Sequence, residues 1–400
     1  MKLDFERLGI LKDQSMHNEL TFYEFFAGGG LARLGLGPDW TCLFANDISK
    51  TKAQAYRMNF PPAHELLVRD IHQVDANDIP GTATLAWASF PCQDLSLAGN
   101  GAGLRAERSG TFWPFWNIVL NLESASRNIP IIVLENVAGL LTSNEGNDFQ
   151  DLLTVFVDAG YRPGAMVIDA IHFVPQSRPR LFIIAVKADC RIPQNLLAST
   201  MHNIWHPSIL INAHERLPKR LKDQWVWWDM PYPDTRRISL RDIIEEEPQG
   251  VMWHTPDETK RLLSLMSPTN LVKVRQARAM GKVQVGTIYK RTRTQDGQKV
   301  QRAEVRFDGI SGCLRTPAGG SSRQTILIVD GSSVRSRLLS VREAARLMGL
   351  QDSYKLPERY NDGYHVMGDA VVAPVISWLE KNLLRQLAAM ANRRAVAGAH

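Results

Sequence analysis

The chain has 400 residues, of which 44% are hydrophobic and 22% charged, proportions typical of a folded globular protein and unlike those of a disordered one. This length predicts two domains, or one large domain with an insertion. The sequence has no apolar run of roughly 18 residues, and its first 20 residues are charged throughout. We therefore expect neither a membrane span nor a signal peptide, and place the protein inside the cell.

The net charge of +6 is unevenly distributed along the chain. Residues 271–345 contain 15 Lys and Arg and 5 Asp and Glu, a balance of +10, which leaves −4 for the rest of the chain. A basic segment on a near-neutral body indicates a polyanionic partner. A solvated surface is the alternative, because the sequence does not show whether these charges share one face.

Four cysteines occur singly, at Cys42, Cys92, Cys190 and Cys313. None belongs to a Cys-x-x-Cys pair, so the sequence predicts neither a zinc site nor a redox motif, and no metal is expected. Disulfides are not expected in a reducing compartment. By default, each cysteine is therefore interpreted as a small buried apolar residue.

Residues 21–190 alternate short apolar runs with amphipathic stretches. Six runs rich in β-branched or aromatic residues predict strands, at 21–26, 41–46, 84–89, 131–136, 165–170 and 181–186. Three stretches between them predict helices, at 49–60, 111–123 and 147–160, with Ser49 as the N-cap of the first. Because strands and helices alternate, the expected class is α/β, with a mostly parallel sheet covered by helices on both faces.

The pattern changes after Cys190. Residues 191–335 have weak periodicity, more Pro and Trp, and most of the basic segment, which predicts a smaller, irregular second domain. Helical patterning returns at 340–350, where Ser340 is the predicted N-cap and Glu343 takes the capping-box position. A long amphipathic helix is predicted at about 371–391. The expected organisation is an extension, a first domain, a second domain and a C-terminal segment returning to the first, at 1–19, 20–190, 191–335 and 336–400.

A predicted strand runs into a glycine-rich turn and a short helix in FYEFFAGGGLARLGLG, residues 22–37, and offers backbone N–H groups to a ligand. Asp47 ends the second strand, 19 residues after Gly28, where a carboxylate can bind a ribose diol. Asp70 would end a third strand. Each aspartate alone is as well explained by a helix cap or a turn. Together they favour a nucleotide-like ligand, and both a nicotinamide dinucleotide and S-adenosyl-methionine (SAM) fit.

Eight short blocks follow one another along the chain: FAGGG at 26–30, ND at 46–47, RDIHQV at 69–74, FPCQDLSLAG at 90–99, LENVAGL at 134–140, VPQSRPRLFIIA at 174–185, LSVREAARLMGL at 339–350 and GDAVV at 368–372. In this order they resemble the DNA (cytosine-5) methyltransferase family, in particular its bacterial and phage members. The resemblance implies a Rossmann-like SAM-dependent methyltransferase fold, with residues 191–335 as the target-recognition domain.

The resemblance implies four catalytic side chains. Carbon 5 of cytosine is a poor nucleophile, and Cys92 is implied to activate it by adding as a thiolate at carbon 6. Glu135 would contact ring nitrogen 3 and the exocyclic amine, and Arg180 the carbonyl oxygen of the base. Arg178 would support the phosphate or the loop. Because a stacked cytosine shields both faces of its ring, the target is expected to leave the duplex.

The implied cofactor is S-adenosyl-L-methionine, with S-adenosyl-L-homocysteine as its product. The expected cofactor contacts are Phe26, Ala27, Gly28, Gly30, Asn46, Asp47, Ile48, Asp70, Ile71, Pro91, Ala370 and Val371. Two positions depart from the family pattern. Ile48 stands where the family often has a large aromatic residue to pack on adenine, and Asp369 stands where it usually has Asn.

The implied partner is double-stranded DNA, with contacts expected at Gln93, Ser96, Arg315 and Arg323. The last two belong to CLRTPAGGSSRQTI, residues 313–326, whose Gly, Ser, Thr and Arg content predicts a DNA-contacting loop. The leading function is methyl transfer to carbon 5 of a flipped-out cytosine through a covalent cysteine–cytosine intermediate. The enzyme would modify DNA in a restriction–modification system, or act as a solitary or phage methyltransferase. We expect a monomer in the cytoplasm, associated with the nucleoid. A cognate restriction endonuclease, where one exists, would act separately.

Three other functions remain open at the level of sequence. An RNA methyltransferase on the same scaffold is disfavoured by the long basic region. A catalytically inactive DNA-binding paralogue is disfavoured because Cys92, Glu135, Arg178 and Arg180 are all present. An NAD-dependent dehydrogenase would explain the glycine turn but offers no role for the Pro-Cys-Gln block.

Overall fold

The computed structural model of the protein describes residues 20–91, 110–199, 204–295, 297–316 and 323–397. Within these ranges the chain forms a seven-stranded and a four-stranded β-sheet. The predicted site residues Cys92, Gln93 and Ser96 lie outside the described residues. None of the described helices is both long enough and apolar enough to cross a membrane.

The strands of the larger sheet, in chain order, are β1 (Leu20–Phe25), β2 (Trp40–Asp47), β3 (Leu66–Val68), β4 (Leu85–Ala88), β5 (Ile131–Val137), β6 (Tyr161–Asp169) and β7 (Pro179–Lys187). Their spatial order is β3-β2-β1-β4-β5-β7-β6. The pairs among β1 to β5 are parallel, whereas β7 runs antiparallel to both β5 and β6. The predicted mostly parallel sheet is confirmed.

Both faces of this sheet are apolar. Successive residues of a strand point to opposite faces, and on β1 Phe22 belongs to one buried cluster and Tyr23 to the other. On β5 Val133 and Ile132 divide in the same way. Strands buried on both faces read as continuous apolar runs, which is why these strands could be predicted from the sequence.

Among the described residues up to 190, the α-helices are α1 (Leu31–Leu36), α2 (Lys50–Asn59), α3 (Phe112–Ser124) and α4 (Asn147–Asp158). The Ser49 hydroxyl accepts a hydrogen bond from the Lys52 backbone N–H at 3.3 Å, so the predicted N-cap of α2 is confirmed. Both faces of the sheet are covered, since α1 contributes to the cluster that contains Phe22, and α3 to the cluster that contains Tyr23.

Residues 191–335 contain more regular structure than their weak periodicity predicts. Their short helices are α5 (Ser208–Glu215), α6 (Lys219–Lys222), α7 (Leu240–Ile243), α8 (Pro256–Ser264) and α9 (Pro268–Ala279). An antiparallel sheet of order β11-β10-β8-β9 is formed by β8 (Gln284–Gln295), β9 (Gln298–Arg306), β10 (Thr325–Asp330) and β11 (Ser333–Leu338). Helices α8 and α9 cover this sheet through their own apolar cluster.

Two of the tryptophans of this region pack on the larger sheet. Trp205 and Trp228 are fully buried in the same cluster as Phe22 and Val133. This part of the chain therefore packs on the first domain rather than on the antiparallel sheet. The boundary at 190/191 stays a prediction.

The chain ends in four helices, α10 (Val341–Leu347), α11 (Tyr360–Asp369), α12 (Ala373–Leu379) and α13 (Arg385–Ala397). The capping box of Ser340 and Glu343 is confirmed. A π-helical segment, Glu380–Leu384, separates α12 from α13, so the predicted helix is interrupted. Helix α12 packs closely on α1 because Gly35 has no side chain; a Cβ there would lie 2.4 Å from the Ile376 Cβ.

Candidate functional site

A cleft of about 710 Å³ lies at the carboxyl ends of the parallel strands β1, β2, β4 and β5. Its lining also includes Arg178 and Arg180 at the start of β7, and the segments 313–316 and 368–371. Ligands of open parallel sheets bind at this edge, where the strands hand over to loops and helix N-termini. The tertiary structure thus brings several separated parts of the sequence around one cavity.

The glycine-rich turn after β1 is held by Asp47. Gly28 has a φ of 57°, which favours glycine, and its N–H donates to Asp47 Oδ2 at 2.8 Å. The other carboxylate oxygen of Asp47 accepts the Ser49 N–H at 2.7 Å. One buried carboxylate therefore fixes both the turn and the start of α2.

Eleven of the twelve predicted cofactor residues line the cleft; they are Phe26, Ala27, Gly28, Asn46, Asp47, Ile48, Asp70, Ile71, Pro91, Ala370 and Val371. Gly30 is the exception. It has a φ of 79°, and a Cβ there would lie 2.4 Å from the Phe60 ring. Gly30 thus allows α2 to pack against the turn.

The end of the cleft lined by the predicted cofactor contacts offers carboxylates beside apolar surface. Asp70 caps a short 3₁₀ helix and accepts hydrogen bonds from the His72 backbone N–H at 3.0 Å and ring Nδ1 at 2.8 Å. The His72 contacts lower the pKa of this carboxyl, so Asp70 is ionised at neutral pH. The side chain of Ile48 is 66% exposed and lines the same wall. Carboxylates for hydroxyl and amine groups beside an apolar surface suit an adenosyl group.

Glu135 and Arg180 form an ion pair at the other end of the cleft. Arg180 Nε lies 3.0 Å from Glu135 Oε1, and the two side chains are 17% and 9% exposed. The pair arises from strand register, because Val137 on β5 lies opposite Arg180 on the antiparallel β7. The second Glu135 oxygen and the terminal Arg180 nitrogens add hydrogen-bonding capacity, which suits the polar edge of a planar ring.

Arg178 also lines the cleft but is nearly fully buried. Its guanidinium donates to the carbonyl oxygens of Leu314, Gly368 and Ala370 at 2.8 to 3.0 Å. Burial, followed by the charge of Arg180, lowers the pKa of Arg178. Arg178 therefore joins the start of the predicted DNA-contacting loop to the C-terminal end of α11.

Cys313 is a cleft residue that the sequence did not single out. Its Sγ accepts a hydrogen bond from Arg178 Nη1 at 3.1 Å and lies 3.8 Å from Arg180 Nη2. Burial raises the pKa of this thiol, but the two guanidinium charges outweigh burial and lower it overall. The sequence analysis assigned no role to this thiol, because the arginines are more than a hundred residues away.

Asn136 is a second residue that the sequence analysis missed. Its side-chain amide donates to the Phe90 carbonyl oxygen at 3.1 Å, and its Oδ1 accepts the Val137 N–H at 2.8 Å. Asn136 thereby ties the end of β5 to the segment that leads to Cys92. Its place directly after Glu135 was the available signal.

The two described DNA-contact candidates differ in position. Arg315 lines the cleft. Arg323 is not among the lining residues; its Nη2 donates to Asn361 Oδ1 at 2.6 Å, and its guanidinium lies 5.6 Å from the Tyr360 ring centroid. Both roles stay predictions.

The departure at Asp369 has a structural counterpart in the cleft. Its Oδ2 lies 2.8 Å from Lys52 Nζ, and its Oδ1 accepts a hydrogen bond from the Thr316 hydroxyl. Lys52, Thr316 and Asp369 all line the cleft. Lys52 was missed because a lysine in the first turns of an amphipathic helix usually faces solvent.

The sequence matches the C-5 cytosine-specific DNA methylase family over residues 20–385. It is 28% identical over 360 residues to the Type II methyltransferase M.BsuFI of Bacillus subtilis, covering 90% of this chain and 71% of that protein. It is 24% identical over 377 residues to the Type II methyltransferase M.HhaI of Haemophilus parahaemolyticus, covering 93% and 96%.

The fold is similar to that of solved methyltransferases. The structure of the Entamoeba histolytica methyltransferase EhMeth matches 92% of this chain and 98% of its own with a TM-score of 0.58 and 13% identity. The DNMT2 of Spodoptera frugiperda, a mutant form, matches with a TM-score of 0.55 and 18% identity, covering 92% of this chain and 99% of its own. At these identities the likeness concerns the fold.

Proposed function

The chain belongs to the C-5 cytosine-specific DNA methylase family, and from this premise we propose how its own residues carry out the reaction. It is a DNA (cytosine-5-)-methyltransferase that acts on double-stranded DNA with SAM as the methyl donor. The cleft carries the proposal, because it places eleven predicted cofactor residues in the same cavity as the Glu135–Arg180 pair. One end suits the methyl donor, and the other suits the base.

The proposed nucleophile is Cys92. SAM, when bound, supplies an electrophilic methyl group on a sulfonium. The Cys92 thiolate forms a bond to carbon 6 of the cytosine, and the electron pair displaced towards carbon 5 takes up the methyl group, with release of S-adenosyl-L-homocysteine. A base then removes the proton from carbon 5, and expulsion of the thiolate restores the ring and returns Cys92.

Glu135 and Arg180 are proposed to hold the polar edge of the base. When the thiolate adds, negative charge develops on the ring, and a proton passed from solvent through Glu135 to nitrogen 3 would neutralise it. Arg180 would stabilise the carbonyl oxygen. Their mutual ion pair positions both groups before the base arrives. The base reaches them by leaving the duplex.

Arg178 is proposed as a positioning residue rather than a contact to the base. Its two terminal nitrogens already donate to three backbone carbonyl oxygens. It would keep the 313–316 segment at the cleft while DNA is bound.

The function is tested by incubating the protein with SAM and mixed-sequence duplex DNA, followed by mapping of methylated bases at single-nucleotide resolution. We expect 5-methylcytosine at one cytosine of a short recurrent sequence. Methylation of tRNA with none of duplex DNA would favour the RNA alternative and contradict the proposal.

The nucleophile is tested with Cys92→Ala, which should abolish methyl transfer while the protein stays folded and binds DNA. Duplex DNA with 5-fluorocytosine at the mapped position provides a direct readout, because carbon 5 then has no proton to lose and the enzyme stays attached. The wild type and a Cys42→Ala control should form this covalent complex, and Cys92→Ala should not. A complex with Cys92→Ala would exclude Cys92 as the nucleophile.

We further propose that the enzyme modifies DNA in a restriction–modification system or as a solitary or phage methyltransferase. The Type II methyltransferases among its relatives support this setting. A cytoplasmic monomer associated with the nucleoid is proposed with it. Resistance of the modified DNA to a restriction endonuclease that cleaves the mapped sequence would support a protective role.

A further inference from the structure

Lys52 and Asp369 form an ion pair in the wall of the cleft, with Nζ 2.8 Å from Oδ2. Their side chains remain 23% and 41% exposed. An isolated pair as exposed as this contributes little to the stability of a fold. Its position suggests a ligand, since Lys52 lies in α2 close behind Asp47.

The other cations of the described cleft lining are engaged or lie elsewhere. Arg178 is nearly fully buried and donates to backbone carbonyl oxygens. Arg180 lies with Glu135 at the other end of the cleft. Arg315 belongs to the segment that enters the predicted DNA-contacting loop. Lys52 is therefore the cation of the described lining that lies on the α2 side and stays accessible to an anion.

The carboxylates of the described cleft lining can be compared in the same way, by their partners and their exposure. Asp47 accepts two backbone N–H groups, Asp70 is held by its neighbouring histidine, and Glu135 pairs with an arginine. Glu24 is 1% exposed. Asp369 is the accessible carboxylate next to Lys52, so the cleft presents one positive and one negative group side by side.

SAM ends in an α-amino acid, which carries a carboxylate and an ammonium group on one carbon. We propose that Lys52 binds the α-carboxylate of the cofactor and that Asp369 binds its α-ammonium group. This inference rests on the proposed function, because it requires SAM as the ligand. The three N–H donors of the lysine let it keep Asp369 while it gains the carboxylate.

The departure from the family pattern follows from this arrangement. An asparagine at position 369 could accept a hydrogen bond from Thr316, but it would not hold Lys52 by charge. Asp369 does both. Burial raises the pKa of Asp369, but Lys52 and Thr316 outweigh burial and lower it overall, so the carboxylate stays charged near neutral pH.

The test measures binding of three ligands by titration calorimetry without DNA. S-adenosyl-L-homocysteine carries both groups, its decarboxylated analogue keeps only the ammonium, and 5′-methylthioadenosine has neither. Lys52→Met should weaken binding of S-adenosyl-L-homocysteine by about 10- to 100-fold, as expected for loss of a hydrogen bond between charged groups, and change the other two by no more than about twofold. Lys50→Met, an exposed lysine on the same helix, is the matched control and should change none of them.

Two further variants separate binding from a structural role. Lys52→Arg keeps the charge and should restore most of the affinity for S-adenosyl-L-homocysteine. Asp369→Asn should weaken both ligands that carry the ammonium group and leave 5′-methylthioadenosine unchanged.

Equal weakening of all three ligands by Lys52→Met would overturn the inference, because the lysine would then act only on the shape of the site. The wild type should bind S-adenosyl-L-homocysteine more tightly than its decarboxylated analogue. If Arg315→Met abolished this difference and Lys52→Met did not, the carboxylate would be assigned to Arg315, and the inference would also be overturned. If the wild type bound none of the three ligands, the proposed function itself would fail. Binding without dependence on Lys52 would contradict this inference alone.

Discussion

The guanidinium groups of Arg178 and Arg180 line the same cleft, yet their partners differ. Arg178 is enclosed by backbone carbonyl oxygens, whereas Arg180 pairs with a carboxylate and keeps donors for another group. The two residues are two positions apart, so both lie at the edge of the cleft. The surrounding backbone carbonyl groups make Arg178 the one that links separate segments of the chain. At the scale of single residues, burial and available partners distinguish two side chains of the same type.

Glu24 is a buried residue whose carboxyl group has few partners. Its Oε1 accepts the Arg33 N–H at 3.4 Å, and its Oε2 accepts no hydrogen bond from any described residue. Burial, with smaller contributions from Asp47 and Glu65, raises the pKa of Glu24 to about 8, although Arg33 lowers it. The carboxyl is therefore largely protonated at neutral pH in the folded protein.

This raised pKa predicts a pH dependence of stability. A carboxyl group whose pKa in the folded protein lies above its unfolded value of about 4.5 binds more protons in the folded state than in the unfolded state. Its contribution to the free energy of unfolding is therefore fully present below pH 4.5 and is lost as pH rises through about 8. Glu24→Gln removes this dependence. The melting temperature of the variant relative to wild type should therefore increase between pH 5.5 and pH 8.5.

Thermal unfolding at both pH values measures this effect, with Glu358→Gln, an exposed glutamate, as the control. The control should track the wild type at each pH. A constant difference between Glu24→Gln and wild type across this range would contradict a raised pKa.

At the scale of elements, the antiparallel β7 builds the end of the cleft that contains the Glu135–Arg180 pair. In a purely parallel sheet the start of a strand lies at the opposite edge from the carboxyl ends of its neighbours. Because β7 is reversed, Arg180 at its start lies opposite Val137 at the end of β5. Strand direction thus places the arginine next to Glu135.

The junction of β11 and α10 is held by a fully buried ion pair. Arg337 donates to both carboxylate oxygens of Glu343, at 2.6 and 2.8 Å, and neither side chain is exposed. Glu343 also accepts the Ser340 N–H at 2.7 Å, which closes the capping box of α10. One carboxylate therefore joins the antiparallel sheet to the helix that returns the chain to the first domain.

Glu343→Gln should lower the free energy of unfolding by about 3 kcal/mol, because it leaves the Arg337 charge buried without its counter-ion. Urea denaturation measures this change, and Glu358→Gln serves again as the exposed control. A loss below about 1 kcal/mol would show that the pair does not stabilise the junction.

At the scale of the whole molecule, the uneven distribution of charge predicts which part of the chain contacts DNA. Residues 271–345 have an excess of Lys and Arg over Asp and Glu. Some of these cations are exposed on the β8–β9 ribbon, such as Arg291 and Arg293, which pair with Glu304. A two-stranded ribbon has the dimensions of the DNA major groove. This segment is expected to contribute to contacts with phosphate groups.

DNA affinity should fall steeply with salt, with a slope of about −0.9 in log–log form for each phosphate neutralised. Replacing Arg291 and Arg293 by Gln should make this slope shallower by up to about 2. Lys219→Gln with Arg220→Gln is a matched control, since these exposed cations are also ion-paired but lie outside the basic segment. Fluorescence anisotropy over a salt series measures the slope, and an unchanged slope in the first variant would remove the ribbon from the DNA interface.

The sequence by itself determined the α/β class, the strands of the larger sheet, the caps at Ser49 and Ser340 and the family. These depend on patterns that can be read along the sequence: apolar runs, capping residues and the order of short blocks. Eleven of the twelve cofactor contacts predicted from the blocks line the cleft.

Only the tertiary structure decided which of these groups meet. The contacts of Cys313 with Arg178, of Asp369 with Lys52 and of Arg337 with Glu343 depend on strand direction, register and helix packing. The antiparallel sheet was also not predicted from the sequence, because residues 290–294 and 297–301 of the β8–β9 ribbon are exposed except for Val300 and show no alternation of apolar and polar residues. Local pattern records whether a residue is buried, whereas its partners and its pKa follow from the groups that the fold brings near it.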